Sequence, residues 1–178
     1  YHVVTGSNMD ATAILDGFTI ANGNAEPSTL YTGSTPPQSM GGGLYIVSGS
    51  PTVANCTFVK NLAGDGGGIY NQNSNPKLID CIFIDNFADR ESELLGEMTI
   101  NWCGQGGGIY NSSSNPDMAN CTFINNCAEV SGGGMYNRAS DPILTNCTFT
   151  GNRTEYHGGG MFNKYESRPT LTNCGFSG

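Results

Sequence analysis

Apolar residues recur along this chain on two scales. At short range they alternate with polar ones. In Cys56-Thr57-Phe58-Val59, Cys56 and Phe58 point one way and Thr57 and Val59 the other, the period of a strand with one buried face. At long range the same short pattern returns. Gly-Gly-Gly begins at Gly41, Gly66, Gly106, Gly132 and Gly158, steps of 25, 40, 26 and 26 residues. The long step is one period plus an insertion. An apolar pair follows each triplet: Leu44-Tyr45, Ile69-Tyr70, Ile109-Tyr110, Met135-Tyr136 and Met161-Phe162. Asn comes next in four of the five, at Asn71, Asn111, Asn137 and Asn163. A polar turn then ends in Pro51, Pro76, Pro116, Pro142 or Pro169. Each unit continues to Asn/Asp-Cys-x-Phe, with Cys56 and Phe58, Cys81 and Phe83, Cys121 and Phe123, Cys147 and Phe149, and Cys174 and Phe176. Four units carry a further Asn three residues on: Asn61, Asn86, Asn126 and Asn152. Residues 14–24 read as a degenerate first unit, with Phe18 and Ile20 where Cys and Phe stand later.

One unit holds two or three short strands separated by Gly, Asn and Pro corners. Alone it cannot bury its apolar row. Stacking successive units at about 4.8 Å pairs each strand with its counterpart in the next and buries the row continuously. The pattern therefore predicts an all-β, right-handed parallel β-helix of about six coils of 25–26 residues, one domain over residues 1–178. Side loops at about 24–40 and 89–105 leave from one corner. Cys, Phe and aliphatic residues form inward columns, and Asn71, Asn111, Asn137 and Asn163 form an amide column. The Gly triplets permit positive φ and close backbone approach. Helical repeats are excluded, because no helix tolerates three consecutive Gly plus a Pro in every unit.

Composition adjusts this picture. Charged residues are 12% of the chain and the net charge is −8, so solubility rests on Asn, Ser and Thr. The seven basic residues are scattered, which excludes a phosphate-binding patch and nucleic acid as a partner. No apolar run approaches the ~20 residues of a membrane span. The start at Tyr1, without Met or signal peptide, suggests a mature or excised piece. Five of the seven Cys belong to the column and pack as small hydrophobes. Cys103 and Cys127 lie outside it at one corner in adjacent coils, and a disulfide between them is expected, suited to an extracellular setting.

Two of these motifs together resemble a known family. Gly-Gly-x-(Ile/Leu/Met) stands at 41–44, 66–69, 106–109, 132–135 and 158–161, and Phe-x-x-Asn at 58–61, 83–86, 123–126 and 149–152. The pair resembles the repeats of chlamydial polymorphic outer membrane proteins and of the wider right-handed parallel β-helix repeat proteins of bacterial surfaces. The resemblance runs over roughly residues 14–178. It implies a secreted or surface-displayed protein, often adhesive.

Catalytic chemistry has no clear seat. The acidic residues do not stack, although Asp65, Asp85 and Asp89 share a coil. Arg138 and Lys164 occupy one position in adjacent coils and suit an acidic sugar, or else are two solvated side chains. His2 and His157 are isolated. No catalytic residue, metal or cofactor is expected. Five Asn-x-Ser/Thr sequons, at Asn55, Asn111, Asn120, Asn146 and Asn152, fall mostly on repeat positions. The loops carry Tyr31, Leu94, Leu95 and Trp102, a candidate interaction surface. The ends offer Tyr1, Val3, Val4 and Phe176 as candidate subunit contacts. The leading expectation is an extracellular structural protein whose copies stack head to tail into a filament or surface assembly. An adhesin or carbohydrate-binding module that takes a glycan or cell-surface ligand comes next, and a polysaccharide-cleaving enzyme last.

Overall fold

The computed structural model describes residues 1–25, 37–89 and 104–178. Its strands fall into six coils. Coil 1 holds β1 (Val4–Ser7), β2 (Ile14–Asp16), β3 (Thr19–Ala21) and β4 (Asn24–Ala25). Coil 2 holds β5 (Leu44–Val47), β6 (Thr52–Ala54), β7 (Thr57–Val59) and β8 (Leu62–Ala63), and coil 3 β9 (Ile69–Gln72), β10 (Lys77–Ile79), β11 (Ile82–Ile84) and β12 (Phe87–Ala88). Coil 4 holds β13 (Ile109–Ser112), β14 (Asp117–Ala119), β15 (Thr122–Ile124) and β16 (Cys127–Ala128). Coil 5 holds β17 (Met135–Arg138), β18 (Ile143–Thr145), β19 (Thr148–Thr150) and β20 (Arg153–Thr154), and coil 6 β21 (Met161–Lys164), β22 (Thr170–Thr172) and β23 (Gly175–Ser177). Equivalent strands pair in parallel and in register. They build three six-stranded sheets and one five-stranded sheet, referred to by first, second, third and fourth strand of the coil.

The coil is thus squarer than the two or three strands per unit expected from the sequence. A left-handed residue stands at each corner. Before the third sheet it is Asn55, Asp80, Asn120, Asn146 or Asn173, with φ of 50–56°. Asn and Asp accept that conformation at the least cost after Gly, which explains why they precede every column Cys. The Gly triplet turns the corner into the first sheet. Gly66 has φ of 67°, and a Cβ there would lie 2.5 Å from the Ile69 oxygen. At Gly67 a Cβ would press the Phe87 carbonyl and come within 2.7 Å of the Gly107 oxygen. At Gly68 it would lie 2.5 Å from the Gly108 oxygen. All three positions therefore exclude a side chain, the first by conformation and the others by neighbouring backbone.

Two further readings change. The first coil begins earlier than the residues 14–24 read as its unit, because Val4 pairs with Leu44 and so opens coil 1. Phe18 does precede Ile20 at the Cys position, yet it is 58% exposed and does not join the buried column.

The interior is a set of columns. Phe58, Phe83, Phe123, Phe149 and Phe176 stack with ring centroids 4.9, 4.6, 4.4 and 4.7 Å apart. Ile20 caps this column. Offset aromatic pairs add about 0.5–1.5 kcal/mol each beyond the burial itself. Val53, Leu78, Met118 and Leu144 form a second column, and Leu44, Ile69, Ile109 and Met135 a third.

Polar columns share this interior because the coil above or below satisfies their members, Asn71 Oδ1 excepted. Asn86 is representative. Its Oδ1 accepts from Asn61 Nδ2 at 3.0 Å and Asn61 N at 3.1 Å. Its Nδ2 donates to Phe58 O and to Asn126 Oδ1, both at 2.9 Å. Asn126 and Asn152 continue the chain. A Ser column, Ser74, Ser114, Ser140 and Ser167, does the same at the Pro-containing corner: each Oγ accepts a backbone N–H from the preceding coil at 3.0–3.1 Å. In the Asn71, Asn111, Asn137 and Asn163 column each Nδ2 donates to the next Oδ1 at 2.8–2.9 Å. It begins abruptly. Ile46 occupies the rung before Asn71, so Asn71 Oδ1 is buried without a hydrogen-bond partner.

Candidate interaction surfaces

Outward-facing positions decide what a solenoid can touch. On the first sheet they form an aromatic stack: His2, Tyr45, Tyr70, Tyr110, Tyr136 and Phe162, with successive centroids 4.8, 5.7, 4.9, 5.0 and 5.7 Å apart. His157 closes it on Phe162 at 5.4 Å. Tyr70, Tyr110 and Tyr136 are nevertheless buried. A run of parallel bridges, Met40, Asp65, Gln105, Ser131 and His157, lies beside the stack where each coil approaches its Gly triplet. Burial, with Asp65 nearby, pushes the Tyr136 phenol up to about 12 and raises Tyr110 further still. The repeat pairs each inward aliphatic with an outward aromatic. That alternation was the available sign of this second core.

The third sheet faces outward with Thr57, Ile82, Thr122 and Thr148 in one row and Val59, Ile84, Ile124 and Thr150 in the next, uncharged throughout. Thr148 Oγ1 donates to Thr122 Oγ1 at 3.4 Å.

The carboxylates are drawn into corner ladders rather than toward one another. Asp16 accepts from Asn55 Nδ2 at 2.8 Å, Asp80 from Asn120 Nδ2 at 2.9 Å, and Asp141 from the Arg168 N–H at 2.5 Å. Asp65 takes the Gln105 N–H at 3.1 Å, away from exposed Asp85. Among the described residues no three His, Cys, Asp or Glu side chains converge on one point. Of the sequons, Asn111 and Asn152 are buried, while Asn55, Asn120 and Asn146 are exposed members of the corner ladder.

Arg138 and Lys164 are paired neighbours on the first sheet, as their spacing suggested. Exposed Tyr165 joins them, with the Arg138 Cζ and the Lys164 Nζ each 5.0 Å from its ring centroid. Nothing in the sequence pattern singled out that tyrosine. Tyr31, Leu94, Leu95, Trp102 and Cys103 lie outside the described residues. Cys127, the expected partner of Cys103, is half-buried at the start of β16.

The two end coils present rungs of the same kind. Val4, Leu15 and Ile20 in coil 1 hold the positions of Met161, Leu171 and Phe176 in coil 6. Coil 1 carries an apolar recess of about 200 Å³ lined by Val4, Leu15, Leu44 and Val53. On coil 6, Leu171 and Phe176 are 44% and 50% exposed. Tyr1 and Val3, just ahead of Val4 in the chain, are exposed, and Val4 is half-buried.

Comparison with known families agrees with this architecture. A model described as right handed beta helix region matches residues 87–178, more than half of the chain. The chain belongs to this right-handed β-helix family. Within the solenoid, residues 55–72 match the repeat of the Chlamydia polymorphic membrane protein, spanning Asn-Cys-Thr-Phe, Asn61, the Gly66–Gly68 triplet and Ile69-Tyr70. This β-helix chain is thus a repeat protein similar to those membrane-protein repeats. No curated protein and no solved structure matches it.

Proposed function

We propose that this β-helix is an extracellular structural element whose copies stack head to tail, coil 6 of one on coil 1 of the next, into a filament or surface assembly. The observation that carries the reading is the likeness of the two end rungs. Met161, Leu171 and Phe176 would meet Val4, Leu15 and Ile20 in the register that every internal coil already uses. Open parallel strands are templates for further strands. Charge favours the same polarity, since coil 6 carries Lys164 and Arg168 with one carboxylate, Glu166, and coil 1 carries Asp10 and Asp16. A contact between unlike ends does not close, so it propagates. The chlamydial repeat supports a location outside the cell.

Light scattering and negative-stain microscopy over a concentration series test the idea. Growth of unbranched rods, abolished by Phe176→Asp, is expected. Monodisperse monomers at every concentration would overturn it. A second reading, a carbohydrate-binding surface, rests on Tyr165 with its two cations, a stacking platform suited to acidic sugars. Binding of uronate oligosaccharides that is lost in Tyr165→Ala would favour it.

A further inference from the structure

The column of cysteines is chemistry that a structural role does not use. Cys56, Cys81, Cys121 and Cys147 are fully buried, Cys174 is half-buried, and all five thiols are free. They hold equivalent rungs of successive coils. The residue after each Cys donates its N–H to the Cys oxygen of the preceding coil: Ile82 to Cys56, Thr122 to Cys81, Thr148 to Cys121 and Gly175 to Cys147, at 2.9–3.0 Å. Each thiol itself lies against backbone oxygen: Cys56 Sγ 3.1 Å from Ala54 O, Cys81 Sγ 3.3 Å from Ile79 O, Cys121 Sγ 3.5 Å from Ala119 O and Cys147 Sγ 3.5 Å from Thr145 O.

We propose that this column binds soft divalent cations that take two thiolates in line, the first ion between Cys121 and Cys147 and a second between Cys56 and Cys81.

Three observations lead there. The first is spacing. The Phe column, two residues along the chain, places its rungs 4.4–4.9 Å apart. A disulfide needs sulfurs about 2.05 Å apart and Cβ atoms near ~3.8 Å, so closing one would draw two coils together against the backbone bonds that flank each Cys. A bridging ion with two metal–thiolate bonds of ~2.3 Å spans about 4.6 Å and leaves the coils where they are. The second is coordination number. Thiolate selects soft ions, and no third His, Cys, Asp or Glu converges on the column among the described residues. An ion that demands four ligands, such as zinc, is left unsatisfied. The third is charge. The uptake M²⁺ + 2 RSH → M(SR)₂ + 2 H⁺ yields a neutral product and releases two protons to solvent. A monovalent ion would leave one net negative charge in an interior lined by Phe and Leu, where an uncompensated charge is costly. The site lies inside the solenoid and does not depend on how its ends are covered.

The test uses mercuric ion as the probe on the chain carrying Cys103→Ser, Cys127→Ser and Cys174→Ser, which leaves the four paired thiols. Expected are two ions per chain, two protons released per ion, and an unchanged β-sheet circular dichroism spectrum. X-ray absorption should show two sulfur neighbours per mercury at ~2.3 Å. Adding Cys121→Ala and Cys147→Ala should reduce uptake to one ion. Four ions per chain with one sulfur each, no uptake by the folded protein, or uptake only with loss of the β-sheet spectrum would each overturn the proposal. The absorption measurement needs no further variant, so it discriminates even where the double alanine chain fails to fold.

Discussion

Asn126→Ala should be among the most damaging single substitutions in the chain, although it deletes only one small amide. Asn126 accepts from Asn86 N at 3.1 Å and from Asn86 Nδ2 at 2.9 Å, and donates to Phe83 O at 2.9 Å. Alanine leaves the buried Asn86 N–H without its acceptor, takes one of two acceptors from Asn86 Nδ2, which keeps Phe58 O at 2.9 Å, and removes a donor from Phe83 O. Asn152 Oδ1 is spared, because it keeps the backbone N–H of residue 126 at 3.0 Å. A buried orphan costs about 1–3 kcal/mol and the two partly deprived groups add about 1 kcal/mol together, so the loss is about 2–4 kcal/mol, large for a point substitution. Asn115→Ala is the control. That Asn is exposed and its Oδ1 serves one N–H, that of Asp141, so its loss should cost about 1 kcal/mol or less. The assay is denaturant unfolding followed by circular dichroism. Amide exchange at Asn86 serves as a local readout, because stacked repeats need not unfold in one step. A cost for Asn126→Ala within about 1 kcal/mol of the control would refute the claim that inner amide columns hold the coils together.

Two further outcomes follow from the same structure. Gly67→Ala places a methyl against the Phe87 and Gly107 carbonyls, which are backbone and cannot step aside, so it should lower the melting temperature by more than about ten degrees or prevent soluble expression. A shift of only a few degrees would show that the corner is not tight. The buried phenols set an alkaline limit. Tyr136 is raised to about 12 from an ordinary value near 10, so the folded state favours the neutral phenol. Its contribution is complete below pH ~10 and disappears as the pH climbs toward ~12. Alkaline melts of Tyr136→Phe should decline less steeply over that window than those of the parent. Parallel curves would contradict the assignment.

Much of this molecule is legible in a single dimension. A period of 25 or 26 residues that carries Gly-Gly-Gly, Asn-Cys-x-Phe and a third Asn can satisfy its alternating strands only by lying on copies of itself. Equal spacing therefore identifies the Phe, Cys and Asn columns from the chain alone. Local chemistry also marks the corners, since Gly and Asn declare where φ turns positive. Three things required the folded coil. Periodicity marks Tyr70, Tyr110 and Tyr136 as outward, but only the neighbouring Asp65–His157 run makes that row a second core. A break in one column, Ile46 before Asn71, becomes an unpaired buried oxygen only when the two residues are vertical neighbours. Thiols 25, 40, 26 and 27 residues apart become a chain of near neighbours only through stacking. The physical reason is common to all three. A sequence states what each residue prefers, but whether a preference is met depends on the coil above and the coil below, and those partners lie one full turn away along the chain.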